Sequence, residues 1–173
     1  MTYYATNEIT GTTTAAALTG QQVLRRSSVV ASAAGDVLSV TGSIIFASGV
    51  NLAINSIVEL VVLPADHVPI DFILVNDDFD SATTITVKLG VMTGLVGDAG
   101  RALATVGVEG LASGATTLQA AAFSRNALAA WYRMAPASAD RSIGLGVVAA
   151  PTDPATIRQL DFTMLYRWSR YGV

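Results

Sequence analysis

The chain has no cysteine, one histidine (His67) and one lysine (Lys88). Without cysteine there are no disulfides and no thiolate metal ligands. A lone histidine leaves a zinc site to be built almost entirely from carboxylates. A Ser-His-Asp triad needs its serine on a defined elbow, and no G-x-S-x-G occurs. The ten basic residues include that single lysine, so the rest are scattered arginines and no basic patch forms. With a net charge of −3, nucleic acid is not an expected partner. Charge of either sign is scarce, 13% of residues against about 25% in average soluble domains. So little charge cannot coat a free-standing surface, and part of that surface is expected to be covered by other chains.

Targeting signals are also missing. The opening stretch MTYYATNEITGTT has neither a basic n-region nor an apolar h-region, so it does not read as a signal peptide. The longest uncharged run lies between Asp36 and Glu59, and Ser39, Thr41, Ser43, Ser48, Asn51 and Asn55 interrupt it. It reads as strands and a turn, and no membrane partner is expected. No repeat of fixed period is visible.

What the chain does have is strand periodicity. At 173 residues it suits one domain. A chain of about this size buries roughly 70% of its unfolded surface, enough for a core without metals or disulfides. Ile57 to Leu63 reads as a strand stopped by Pro64, and Pro64, Ala65, Asp66 and Pro69 supply turn chemistry. Ile70 to Val75 reads as a second strand, ended by Asn76, Asp77, Asp78 and Asp80. Ile85, Val87, Leu89 and Val91 alternate with polar or small residues, the period of a half-buried strand. Leu38 to Phe46, Ile143 to Val148 and Gln159 to Trp168 show the same alternation. A strand is expected to start already at Ala53, and another between Ala127 and Met134. The Ala-rich stretch Leu118 to Ala130 suggests a brief helix at its start.

The expected fold is all-β: a single jelly-roll-like β-sandwich of about eight antiparallel strands over residues 36–173, preceded by an extended N-terminal arm over residues 1–35. The arm is rich in Thr, Ala and Ser and cannot bury much apolar area alone. It reads either as a loose terminus or as an arm that orders against a neighbouring subunit. Tyr3, Tyr4, Arg25 and Arg26 are its interface candidates, since Tyr and Arg are enriched in interface hot spots. Trp131 and Tyr132 are further candidates in the domain.

Residues with chemistry of their own read as structural. His67, between two prolines, reads as a turn residue. The cluster Asn76, Asp77, Asp78 and Asp80 lacks the calcium-loop pattern and reads as a turn. Gly94, Gly97 and Gly100 lack the G-K-[ST] of a phosphate loop. Glu59 and Asp71 flank the first turn and read as edge or turn charges that discourage wrong strand pairing. No catalytic residue, metal site or cofactor is assigned, and the chain reads as non-enzymatic.

The segment VELVVLPADHVPIDFILVNDDFD, followed by TTITVKLGVMTG, resembles small virion proteins of tailed bacteriophages. So do WYRMAP, the strand IGLGVVAAP and a last strand closing on Tyr166 and Arg167. The resemblance spans roughly Asp36 to Arg167 and is to the capsid decoration, or cement, proteins; Leu118 to Ala130 matches it least. It implies a jelly-roll-like domain sitting as a homotrimer on the outer surface of the head and bridging major capsid protein subunits. It also implies an arm lying along the capsid or a neighbouring protomer, and turn roles for Pro64 and Asp71. Such a protein is located in the virion, after assembly in the host cytoplasm. An alternative is a tail- or fibre-associated jelly-roll module that binds a host glycan or receptor through Trp131, Tyr132 or the turn at Asp77.

Overall fold

Alternating apolar residues have to be buried on one face of each strand, and here two sheets bury them against each other. The computed structural model describes residues 3–5, 16–17, 37–47, 50, 52–96, 98, 100–103, 109–125, 131, 134–152 and 157–168. Their strands are β1 (Tyr3–Ala5), β2 (Ala16–Ala17), β3 (Leu38–Phe46), β4 (Ile57–Leu63), β5 (His67–Asn76), β6 (Thr86–Val91), β7 (Glu109–Ala115), β8 (Ala122–Arg125), β9 (Arg141–Ala149) and β10 (Arg158–Trp168). One sheet has the order β2-β1-β4-β9-β6-β7, the other β3-β10-β5-β8.

The eight strands from β3 onward form four nested antiparallel pairs: β3 with β10, β4 with β9, β5 with β8, and β6 with β7. This is one long hairpin rolled up so that successive pairs fall alternately in the two sheets, which is jelly-roll wiring. The arm region adds β1, parallel to β4, and β2, antiparallel to β1. Among the described residues no helix is long and apolar enough to cross a membrane.

The core lies between the sheets. Along β10, Leu160, Phe162, Met164 and Tyr166 are buried while the residues between them face outward. Phe72 of β5 stacks on Phe162 at 5.8 Å and meets the ring of Trp131 edge-on at 6.1 Å. From the larger sheet Val58, Leu60, Val87, Leu89 and Leu145 complete the same cluster.

β4 is apolar almost throughout because both of its faces are covered. Its outer face packs under the segment after β6, where Met92 bridges to Leu103 and joins Ile57 in a second small cluster. Two glycines of β9 make room for this cover. A Cβ at Gly144 would come within 2.3 Å of Met92 Sδ, and one at Gly146 within 2.6 Å of Leu103 Cδ1.

Several sequence expectations are corrected. The strand expected from Ala53 begins at Ile57, because residues 53–56 form a turn closed by Ser56 N donating to Ala53 O at 3.0 Å. β5 begins at His67, upstream of Pro69. It admits the proline because β8 pairs with β5 only from Ile73 onward, and because the register with β10 shifts between Leu165 and Tyr166, leaving Ile70 as an extra residue. The helix expected from Leu118 is one 3-10 turn, Thr117–Gln119, followed by β8. Asn76 Nδ2 takes the carbonyls of Thr117 (3.3 Å) and Ala120 (2.9 Å), acceptors that a continuing helix would need. At the end of the expected strand between Ala127 and Met134, Met134 N donates to Trp131 O at 3.1 Å, a turn; residues 127–130, 132 and 133 lie outside the described residues.

Candidate interaction surface

The side chains with chemistry of their own serve structural roles. His67 Nδ1 lies 2.7 Å from Ala65 O and, since a carbonyl only accepts, donates to it. The imidazole also packs against Tyr166 and Trp168. Among the described residues no three His, Asp or Glu side chains gather as a metal site.

Glu59 and Asp71 are not edge or turn charges. β4 and β5 are interior strands, and the two carboxylates are 1% and 2% exposed. Asp71, expected in a turn, lies within β5. Each carboxylate is met by an arginine from a later segment. Glu59 Oε1 accepts from Arg101 Nη1 on the covering segment, and Arg101 Nε also donates to Thr93 O at 2.9 Å. Asp71 Oδ2 accepts from Arg125 Nε of β8 at 2.5 Å. Burial raises the pKa of Glu59, against the opposing pull of the Arg101 charge. Neither carboxylate is available as a free acid or base.

The acidic turn is equally committed. Asp80 is fully buried and its carboxylate collects the amides of Thr84 (2.5 Å) and Ile85 (2.7 Å) and the Thr84 hydroxyl (2.6 Å) on Oδ2. Its Oδ1 accepts from the amides of Ala82 (3.2 Å) and Thr152 (3.3 Å). Burial alone would raise the Asp80 pKa; the bonds from the Thr84 hydroxyl and the Thr84, Ile85 and Ala82 amides outweigh it and hold the group far below the ordinary carboxylate range. Asp77 Oδ2 accepts from Gln159 N at 2.7 Å, which ties this turn to β10.

Of the interface candidates, Trp131 is fully buried against Phe72, so its ring belongs to the core. Trp131 is therefore not presented to a sugar; Asp77 is exposed, with its Oδ2 bound to the Gln159 amide. The backbone of Tyr3 and Tyr4 pairs with Ile57 and Val58 of β4. Arg25, Arg26 and Tyr132 lie outside the described residues.

The surface that stands out is the outer face of the four-stranded sheet. Register places Ser43, Asp161, Val75 and Phe123 in one row across β3, β10, β5 and β8. The next row is Thr41, Thr163, Ile73 and Arg125. Phe123 is 68% exposed and Val75 41%. Beside them, short side chains on β3 and β10 leave a hollow of about 370 Å³ lined by Thr41, Ser43, Ile73, Val75, Asp161 and Thr163. Phe123 escaped sequence reasoning because it sits in the Ala-rich stretch that looked helical; the one available signal was a large apolar residue amid small ones.

No protein-family model and no curated protein sequence matches the chain. Solved structures do. A chain of the capsid of Ralstonia phage GP4 superposes with a TM-score of 0.70 and 31% identity, over 86% of this chain and 92% of that one. A chain of the cyanophage Pam1 capsid asymmetric unit superposes with a TM-score of 0.50 over 81% of this chain and 92% of that one. At 20% identity that second likeness speaks to the fold alone.

Proposed function

The chain belongs to the same family of phage capsid proteins as the Ralstonia phage GP4 chain, and on that premise we propose that it is a decoration, or cement, protein. It binds the outer surface of the head as a homotrimer and stabilises contacts between major capsid protein subunits, with no catalysis of its own. The observation that carries this reading is a capsid-family jelly roll in which the carboxylates of Glu59, Asp71 and Asp80 are bound to arginines or backbone amides. A protein that holds shells together needs contact surface and rigidity, and no reactive group.

Low charge content supports the same reading, because a cemented surface is covered by neighbours. Many modest contacts repeated by symmetry give avidity without strong individual affinity. Tyr3, Tyr4, Arg25 and Arg26 of the arm, with Tyr132, are the contact residues this reading assigns.

The test is co-sedimentation of the purified protein with capsid shells that lack it, alongside its mass in solution by light scattering. A trimer bound to shells at a fixed ratio is the expected result. Protein that stays in the supernatant at every ratio overturns the cementing role. Removing residues 1–34 is expected to keep the far-UV circular dichroism of the β-sandwich and to weaken shell binding.

A further inference from the structure

We infer that the outer face of the four-stranded sheet is where copies of this chain join, with Phe123 of one copy seated in the hollow of the next. The inference rests on the self-association proposed above and adds its location and its geometry.

A knob and a hole lie on one face. Phe123 protrudes from β8, and the hollow opens over β10 in the same row, two strands away. At about 4.8 Å between strands that separation is roughly 10 Å. The hollow, about 370 Å³, is ample for an aromatic ring, given that cavities of about 150 Å³ admit benzene. Its floor is mixed, with Ile73 and Val75 to meet the ring face and the Thr163 and Asp161 oxygens placed for its positive edge.

The charges on the face also suit a like partner. Arg125, whose Nε is held by Asp71 while its side chain stays 65% exposed, stands on the β8 side and Asp161 on the β10 side. When the β8 half of one copy meets the β3–β10 half of another, opposite signs approach.

Symmetry multiplies what is a small contact. β10 has eleven residues, β5 ten, β3 nine and β8 four. At about 3.3 Å per residue and 4.8 Å per strand the face covers roughly 500–700 Å², so each half presents roughly 250–350 Å², a small contact beside the ~800 Å² a protomer commits to a standard interface, and closing the ring makes up for it by engaging both halves of every copy at once. Knob-to-hollow contact is directional, so each copy offers one half of the face to one neighbour and the other half to the second. Three copies then close a ring, which is how a heterologous contact terminates.

Light scattering on wild type, Phe123→Ser and Thr163→Trp tests this. The first variant removes the knob and the second fills the hollow, and both side chains lie outside the core. The wild type is expected to be a trimer and each variant a monomer with unchanged circular dichroism. Phe123→Tyr, which keeps the ring, is expected to remain a trimer. Mixing the Ser and Trp variants is expected to give a dimer, because one intact knob and one intact hollow remain between them. Variants that stay trimeric overturn the inference and leave self-association standing. Variants that stay trimeric but no longer bind shells assign the face to the shell, which also overturns it. A monomeric wild type removes the proposed trimer itself.

Discussion

Asp80 is bonded through both carboxylate oxygens, and replacing it by Asn measures what its charge contributes. Its two oxygens join two connections: residues 80–85 between β5 and β6, and Thr152 between β9 and β10. Asn keeps the shape and one acceptor, so the bonds to Oδ2 persist as neutral ones while Nδ2 faces the amides of Ala82 and Thr152. Charge-assisted bonds are roughly twice as strong as neutral ones, and net values of about 1.5–3 kcal/mol apply to bonds with charged groups. Asp80→Asn should therefore cost about 2–3 kcal/mol at pH 7. With a urea m-value near 2 kcal/mol/M, the midpoint falls by about 1–1.5 M.

The pH dependence is the sharper readout. The carboxyl is held far below its ordinary range in the folded state, while the unfolded chain titrates near about 3.9. Below that value the unfolded state takes up a proton that the folded state does not. Stability from this group is therefore complete above about pH 5 and is lost on acidification, by up to about 1.4 kcal/mol per pH unit. The gap between wild type and Asp80→Asn should be constant from about pH 5 to 8 and shrink below about pH 4. Urea titrations at low protein concentration, followed by circular dichroism, decide it. A gap under about 0.5 kcal/mol at neutral pH, or one that persists unchanged to about pH 2.5, refutes the reasoning.

Two other substitutions probe the cover over the larger sheet. Gly144→Val drives a Cβ into Met92 Sδ and should cost about 1–3 kcal/mol by overpacking, read as a lower thermal midpoint. Arg101→Met leaves Glu59 buried without its counter-charge and should cost about 3–5 kcal/mol at pH 7, most of it recovered by adding Glu59→Gln, in a double-mutant cycle by urea denaturation.

Legibility followed how local each signal was. β4 ends at Leu63 as expected, though it starts at Ile57 and not at Ala53, and β6, β9 and β10 fall within two residues of their expected bounds, because alternation and a flanking turn are both local. β5 begins three residues before the expected strand because prolines signal turns, and only the pairing pattern around Pro69 shows why one is tolerated. β8 was missed because Ala, Leu and Gln favour helix while four residues of edge pairing leave no periodicity. The ion pairs were invisible for a plainer reason. Arg101 lies 42 residues from Glu59, and Arg125 lies 54 residues from Asp71. Nothing in the neighbourhood of either carboxylate announces its partner, so both read as edge or turn charges.

That displacement of charge bears on function. Glu59, Asp71, Asp80, Arg101 and Arg158 are all buried, in a chain that has few charges to begin with. The surface is thus poorer in charge than composition suggests, and Phe123, Val75, Ile54, Leu95 and Ile157 stand exposed on it. For a solitary protein this would be a poor arrangement, since repulsion between charged surfaces is what keeps monomers apart. For a member of a capsid family it is a workable one. The internal pairs pin the segment after β6 to the larger sheet and β8 to β5, so the contact surfaces are held rigid before any neighbour arrives. Rigid surfaces lose little entropy on docking. Modest apolar contacts repeated around a symmetric shell then suffice.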